Sequence, residues 1–111
     1  MQYRLLAFTN AKPGEEDAFN DWYTNVHLAD VLKLPGVTSA QRFRLSETQH
    51  HPGSSSFEYM AIYEIDIDDV AVTLSALRSA SGTPDMPLSP AMQDKRMVWI
   101  YEPITPAVTA G

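Results

Sequence analysis

A single histidine inside a helix-like stretch is the strongest candidate for chemistry in this sequence. His27 lies in the segment WYTNVHLADVLKLPGVTSAQRF, residues 22–43, which reads as a helix, a Pro-Gly stop and a strand. Imidazole has an unperturbed pKa near 6.5, so it can both take and give a proton at neutral pH. The alternative is a histidine that caps helix carbonyls, where its positive form is favoured. Spacing alone leaves both roles open.

Side chains that could assist this imidazole lie nearby in the sequence or in a predicted strand. Asp30, about one helical turn further on, could orient the ring or assist proton transfer, or it could cap the short turn that ends at Lys33. Tyr63 and Tyr23 are the phenols we favour as donors to a developing oxyanion. Aromatic side chains such as these and Trp22 also supply much of the core of a small domain.

Arg42 is the candidate cation of the following strand. It could hold a substrate carboxylate or enolate, or it could pair with Glu64 or Glu58 on the neighbouring strand. Cross-strand pairing is the commoner use of such a charge. Gln41, the preceding residue, points to the opposite face of the strand and is a candidate substrate contact.

The remaining histidines, His50 and His51, lie side by side in a polar loop. His51 is the better candidate for a residue that reaches over a pocket, although loop histidines are more often solvated. Three histidines could in principle hold a metal ion, but no two of them have helical i, i+4 spacing, so we expect no metal. The proline-rich residues 83–92 could form a lid or a stiff connection.

Composition places the chain among small globular proteins. Its 111 residues fit one domain, residues 1–111, and the absence of cysteine excludes disulfides, thiolate metal sites and a cysteine nucleophile. A net charge of −6 without a basic cluster argues against nucleic-acid binding. No apolar run approaches the roughly 18 residues of a membrane span, and the first residues do not resemble a signal peptide. We therefore expect a cytoplasmic protein.

The predicted elements alternate as strand, helix, strand, strand, helix, strand. Strands are expected over residues 3–9, 37–45, 57–66 and 96–102, a first helix over about 15–27 with a further turn through residue 32, and a second helix between Asp66 and Gly82. Asp30 would fall on the apolar face of an unbroken first helix, which predicts a change of axis near His27. This order is that of an α+β, ferredoxin-like βαββαβ subunit with a four-stranded antiparallel sheet.

Both faces of the predicted sheet are apolar. In the first strand Leu5 and Ala7 alternate with Leu6 and Phe8, and the last strand, MVWIY, is apolar throughout. The helices can cover one face only. We therefore expect a second copy to cover the open face in a homodimer, with the tail, residues 103–111, reaching across.

Residues 19–43 resemble the first helix and second strand of dimeric α/β-barrel proteins, and more narrowly their EthD-like branch. The resemblance rests on FNDWY (19–23), VHL (26–28), VLKLPGV (31–37) and SAQRF (39–43). It implies a cofactor-free cavity between helices and sheet in which His27 acts as an acid or base. The superfamily includes lactone isomerases, polyketide cyclases and dehydratases, cofactor-independent monooxygenases and haem-handling enzymes, and this sequence has no haem-ligand pattern.

These observations predict a cofactor-independent isomerase, cyclase or dehydratase/lyase that acts on a small cyclic or aromatic carbonyl compound. His27 would be the general acid/base, and Arg42 or Tyr63 would hold the oxyanion. The expected substrate contacts are Trp22, Tyr23, Asp30, Gln41 and His51. A non-catalytic small-molecule binding protein, a cofactor-free monooxygenase and a haem-binding protein are the alternatives.

Overall fold

The computed structural model describes residues 1–111 and has the predicted element order. The elements are β1 (Gln2–Thr9), α1 (Glu16–Trp22), a π-helical turn (Tyr23–His27, the π turn), α2 (Leu28–Val31), β2 (Val37–Arg44), β3 (Tyr59–Asp66), α3 (Val70–Ala80) and β4 (Met97–Tyr101). The strands form one antiparallel sheet in the order β2-β3-β1-β4. The ferredoxin-like βαββαβ prediction is confirmed. None of the helices has the length and apolar character needed to cross a membrane.

Strands β3 and β2 differ from the predictions in where β3 begins and in the register of β2. β3 begins at Tyr59, two residues later than expected, because the amide of Glu58 donates to Asn10 Oδ1 at 2.7 Å and not to a neighbouring strand. The register of β2 shifts between Val37 and Ser39. Val37 therefore pairs with Ile65 and packs against the core, whereas strict alternation predicts it on the side of Ser39.

α1, the π turn and α2 are continuous and together form the first helix. Inside the π turn, the amide of Leu28 donates to the carbonyl of Tyr23, five residues back. The turn therefore holds one residue more than an α-helical turn, and the residues after it are rotated relative to an unbroken helix. A change of helix axis was predicted near His27, and the structure has a change of helix type there. The side chain of Asp30 remains 12% exposed, with Oδ1 3.8 Å from Lys33 Nζ.

The core lies between the first helix, α3 and one face of the sheet. Alternate residues of β1 and β3 point into it, and Phe19 from α1 is fully buried. The opposite sheet face is uncovered in the single chain, where Trp99 is 52% and Tyr101 57% exposed. The buried residues of this core are Tyr3, Leu5, Ala7, Phe19, Tyr23, Val31, Ala61, Tyr63, Ile65, Met86, Ala91 and Met92.

Gly36, in the turn between α2 and β2, has a conformation and a space that favour glycine. Its φ is +81°, and an added Cβ would lie 2.8 Å from Ile67 Cβ. Gly14 has the same φ of +81° but no atom within 4 Å of that position. We expect Gly36→Ala to lower the free energy of unfolding by about 2 kcal/mol more than Gly14→Ala, because only Gly36→Ala adds overpacking to the shared backbone cost. Denaturant unfolding at matched protein concentration measures both, and equal losses would contradict the steric argument.

Candidate functional site

A cavity of about 100 Å³ lies between the first helix, β1 and the chain that follows α3. Its apolar wall consists of side chains from these elements and from α3. His27, Tyr23 and Tyr63 lie on the same wall, so the structure brings together three of the residues predicted from sequence. The apolar lining residues are Leu5, Ala7, Val31, Leu77, Leu88, Met92 and Val98.

His27 is the last residue of the π turn and is held by aromatic rings. Its imidazole stacks on Trp22 at a centroid distance of 4.7 Å and meets Tyr23 edge-on at 4.8 Å. Burial lowers the pKa of His27 to about 4; the charge of Asp30 opposes this shift, and Arg96 and Arg42 add to it. His27 is therefore neutral at neutral pH. This is the form that accepts a proton, and not the cation that capping would favour.

Two polar atoms from the cavity wall are buried without a hydrogen-bond partner. They are His27 Nδ1 and Thr9 Oγ1. Buried polar atoms are normally paired, so each unpaired one needs an explanation, and a bound molecule would supply a partner to both. Thr9 was not predicted as a site residue; the available signal was its hydroxyl at an inward position of β1, two residues after Ala7.

The two phenols of the wall are joined to each other. Tyr23 Oη and Tyr63 Oη lie 3.1 Å apart and buried. Burial raises the pKa of both groups, so both remain protonated. One hydroxyl donates to the other, and the structure contains no second acceptor for the proton that remains. The pair can therefore offer one O–H to a carbonyl oxygen of a bound molecule.

Arg42 supports the helix and does not line the cavity. Its guanidinium donates to Asn20 Oδ1 and Thr24 Oγ1, each at 2.9 Å, and lies 4.6 Å from the centroid of the Tyr23 ring. The predicted pairing with Glu64 or Glu58 is wrong. Arg42 faces the helices, whereas Glu64 is exposed on the other sheet face, so the two cannot meet. Glu64 pairs instead with Arg4, with Nη2 and Oε1 3.3 Å apart.

We expect Arg42→Gln to lower the free energy of unfolding by about 2 kcal/mol, because it removes a half-buried cation–π contact and hydrogen bonds to α1 and the π turn. Arg44→Gln on the same strand is the matched control, since Arg44 is exposed and should change stability by less than about 0.5 kcal/mol. Thermal unfolding of both variants measures the difference. Equal stability of the two variants would refute this structural role.

Two predicted substrate contacts lie away from the cavity. Gln41 pairs with Ile62 on the open sheet face, as its alternation with Arg42 requires. His51 is exposed in its loop, with Nε2 3.1 Å from His50 Nδ1. Within one chain, neither side chain reaches the cavity.

The other two expected contacts lie beside it. Trp22 packs on His27 and donates from Nε1 to the carbonyl of Pro87 at 3.1 Å. Asp30 Oδ2 is a third buried atom without a partner.

The proline-rich residues 83–92 form part of the cavity wall. Leu88 and Met92 line the cavity, and Met86 is 1% exposed and belongs to the core. The amide of Lys12 and the carbonyl of Ala91 are joined by a 2.7 Å hydrogen bond, which fixes one end of the segment to the loop after β1. The segment is therefore packed in place over the site.

A larger cavity, about 720 Å³, lies at the other end of the sheet. The tail residues 102–107 form much of its wall, and Ile104 within them is 98% exposed. It is lined by Glu64, Asp66 and Glu102 and contains no histidine. The smaller cavity, with its buried unpaired atoms, is the better candidate site.

Comparison by sequence finds no matching family model and no matching curated protein. Comparison by structure finds an ethyl tert-butyl ether D (EthD) family protein from Bacillus halodurans, with 25% identity and a TM-score of 0.62 over 94% of this chain and 100% of that one. A protein from Shewanella loihica described as a candidate monooxygenase has 13% identity and a TM-score of 0.62, over 95% of this chain and 96% of that one.

A DABB family protein with a ferredoxin-like fold, from Mesorhizobium loti, has 15% identity and a TM-score of 0.60, over 94% of this chain and 98% of that one. The second and third similarities show the fold alone. Together the three neighbours confirm the predicted resemblance of this chain to the EthD-like branch of the dimeric α/β-barrel proteins.

Proposed function

We propose that this protein is a cofactor-independent enzyme that moves a proton next to the carbonyl group of a small cyclic or aromatic compound. Isomerisation, cyclisation or loss of water would follow from that step. The observation that carries the proposal is a neutral His27 with a buried, unpartnered Nδ1 on the wall of an apolar cavity. An imidazole in this state can accept a proton from carbon and return it elsewhere on the same molecule.

The wall also holds donors for the negative charge that such a step creates. When a base removes a proton beside a carbonyl, charge develops on the carbonyl oxygen, and a donor aimed at that oxygen stabilises the transition state. The free O–H of the Tyr23–Tyr63 pair and the hydroxyl of Thr9 are available for this purpose. Two oxyanion partners were predicted from the sequence, Arg42 and Tyr63. We favour Tyr63, because Arg42 already donates to α1 and the π turn.

Asp30 is proposed as the positioning residue for the imidazole. Its carboxylate raises the pKa of His27 against the larger effect of burial, so it stabilises the protonated form that arises during the reaction. Asp30 Oδ2 and His27 Nδ1 are both buried without partners, and no hydrogen bond joins them directly. An ordered water or a small ring rotation would connect the two groups.

Deuterium exchange tests the proposal before a substrate has been identified. The protein is incubated in deuterium oxide with a panel of small lactones, cyclic ketones and aromatic ketones, and the panel is read by mass spectrometry. Incorporation of deuterium at the carbon next to a carbonyl, above the buffer rate, is the expected result. A parallel incubation in ordinary water then names the reaction from the product mass, since isomerisation leaves the mass unchanged and dehydration removes one water. A panel without exchange or conversion would refute the enzyme and favour a binding protein.

A cofactor-free monooxygenase is the second candidate, supported by the description of the Shewanella loihica neighbour. Its signature is the addition of oxygen to an electron-rich aromatic substrate with matching consumption of dioxygen. An oxygen electrode in the same incubations separates it from the proton-transfer enzyme.

We further propose that a second copy covers the open sheet face. Large apolar side chains on this face are 39–57% exposed in the single chain, which is unusual for a contiguous patch on a monomer. They include Phe43, Met97, Trp99 and Tyr101. Gln41 lies on the same face and would then be an interface residue. The mass in solution by sedimentation tests this assembly.

A further inference from the structure

One charged side chain remains on the cavity wall after the proposed chemistry is assigned. Arg96 lines the cavity just before β4 and is exposed, so it lies on the open side of the cavity. No aspartate or glutamate lines the cavity. Arg96 makes no ion pair and no side-chain hydrogen bond in the structure, since the three ion pairs of the chain involve other groups.

The sign of this charge contrasts with the rest of the molecule. The chain carries a net charge of −6, yet the only full charge on this wall is positive. A guanidinium presents several N–H donors in a fork that matches carboxylate and enolate oxygens. The unpaired cation on an apolar cavity therefore favours an anionic group on the molecule that enters.

The volume of the cavity and the polar groups at its buried end indicate the size and the remaining polar atoms of the molecule that would bind there. About 100 Å³ is less than the roughly 150 Å³ of an apolar cavity that takes benzene, so a ring enters only in part and its remainder lies at the mouth. Thr9 and His27, whose Oγ1 and Nδ1 are buried without partners, line the cavity together with the apolar side chains. A compact molecule with an apolar body and polar atoms at both ends satisfies all these groups.

We propose that the cavity selects small anionic carbonyl compounds, with a carboxylate or enolate oxygen held by Arg96 and a second polar atom, at the other end of the apolar body, directed towards Thr9 and His27. The inference deepens the proposed function by naming the charge class of its substrate. The binding half of the inference can be tested without turnover, so its failure is distinguishable from failure of the acid/base proposal.

Amide NMR titrations with three simple probes test the selection. The probes are benzoate, the enolate of 1,3-cyclohexanedione and neutral benzamide. We expect both anions to shift the amide signals of Leu5, Thr9 and His27 and to bind more tightly than benzamide. In Arg96→Gln the affinity for both anions should fall about tenfold, as for loss of a hydrogen bond to a charged group, while the affinity for benzamide stays unchanged. The tighter of the two anions identifies the head group.

Arg78→Gln is the matched control, since it removes the same charge from an exposed site on α3 that does not line the cavity. It should bind the anions as the unaltered protein does. Equal binding of benzoate and benzamide, or equal losses in the two variants, would overturn the charge selection and leave the proton-transfer proposal standing. Failure of all probes to shift the cavity amides would also overturn the charge selection, while the deuterium-exchange experiment decides the proton-transfer proposal separately.

Discussion

Replacing His27 with glutamine is expected to lower the rate of deuterium exchange and turnover by about 10²–10⁴-fold, the range that a positioned general base contributes. Glutamine keeps a planar polar side chain of similar length but cannot accept the proton. The stacking partner Trp22 and the edge-on partner Tyr23 remain, so the packing around the site should be largely retained. Exchange rates at saturating substrate, with near-UV circular dichroism for the fold, measure the effect.

His51→Gln is the matched control for this variant. His51 is exposed in the loop and does not line the cavity, so its loss should leave the rate within about twofold of the unaltered protein, as expected for a side chain without a catalytic role. Full activity in a folded His27→Gln protein would eliminate the histidine mechanism. A low rate together with an altered dichroism spectrum would instead assign the residue a structural role.

The burial of His27 also predicts how stability depends on pH. The pKa is about 4 in the folded protein and about 6.5 in an unfolded chain, so between these values the unfolded state binds the proton and the folded state does not. Stability therefore falls as the pH drops below about 6.5, and the loss is complete near pH 4. The pKa difference corresponds to about 3 kcal/mol.

Comparison with His27→Gln isolates this contribution from the many carboxylates that titrate in the same range. The free energy of unfolding is measured in urea at several pH values from 7.5 to 4 for both proteins. The difference between them should change by about 3 kcal/mol in favour of the variant on going from neutral to acidic pH. A constant difference across the range would show that the folded protein protonates His27 as easily as the unfolded chain does.

The element order could be predicted because its signals are local. Pro35-Gly36 marks the end of the first helix, and alternation in β1 and β3 sets which residues face inward. His27, Tyr23 and Tyr63 were candidates for their chemistry, and it is the packing of the first helix on the sheet that brings them to one cavity. The shift at Val37 was missed because a bulge depends on how β2 meets β3 and not on its own sequence.

The parts of the site that were missed depend on contacts between distant segments. Thr9 and Arg96 are 87 positions apart, the difference of their residue numbers, and only the antiparallel β1–β4 pairing brings them to one cavity. The partners of Arg42 depend on how the first helix packs on the sheet, which no local pattern encodes. Gln41 and His51 were included for their chemical type alone, and the structure places them elsewhere.

The extra residue of the π turn makes the site sensitive to chain length as well as to side-chain identity. The π turn absorbs its extra residue in one wide turn, so α1 and α2 stay in phase. The same residues wound as an ordinary α-helix would rotate α2 against α1 by about 100°, the angle per residue of an α-helix. Every side chain of the site would still be present, but Tyr23 and Val31 could no longer line the same cavity. Among divergent relatives, a one-residue insertion or deletion within α1 or α2 would therefore mark a change in the site that a comparison of individual site residues overlooks.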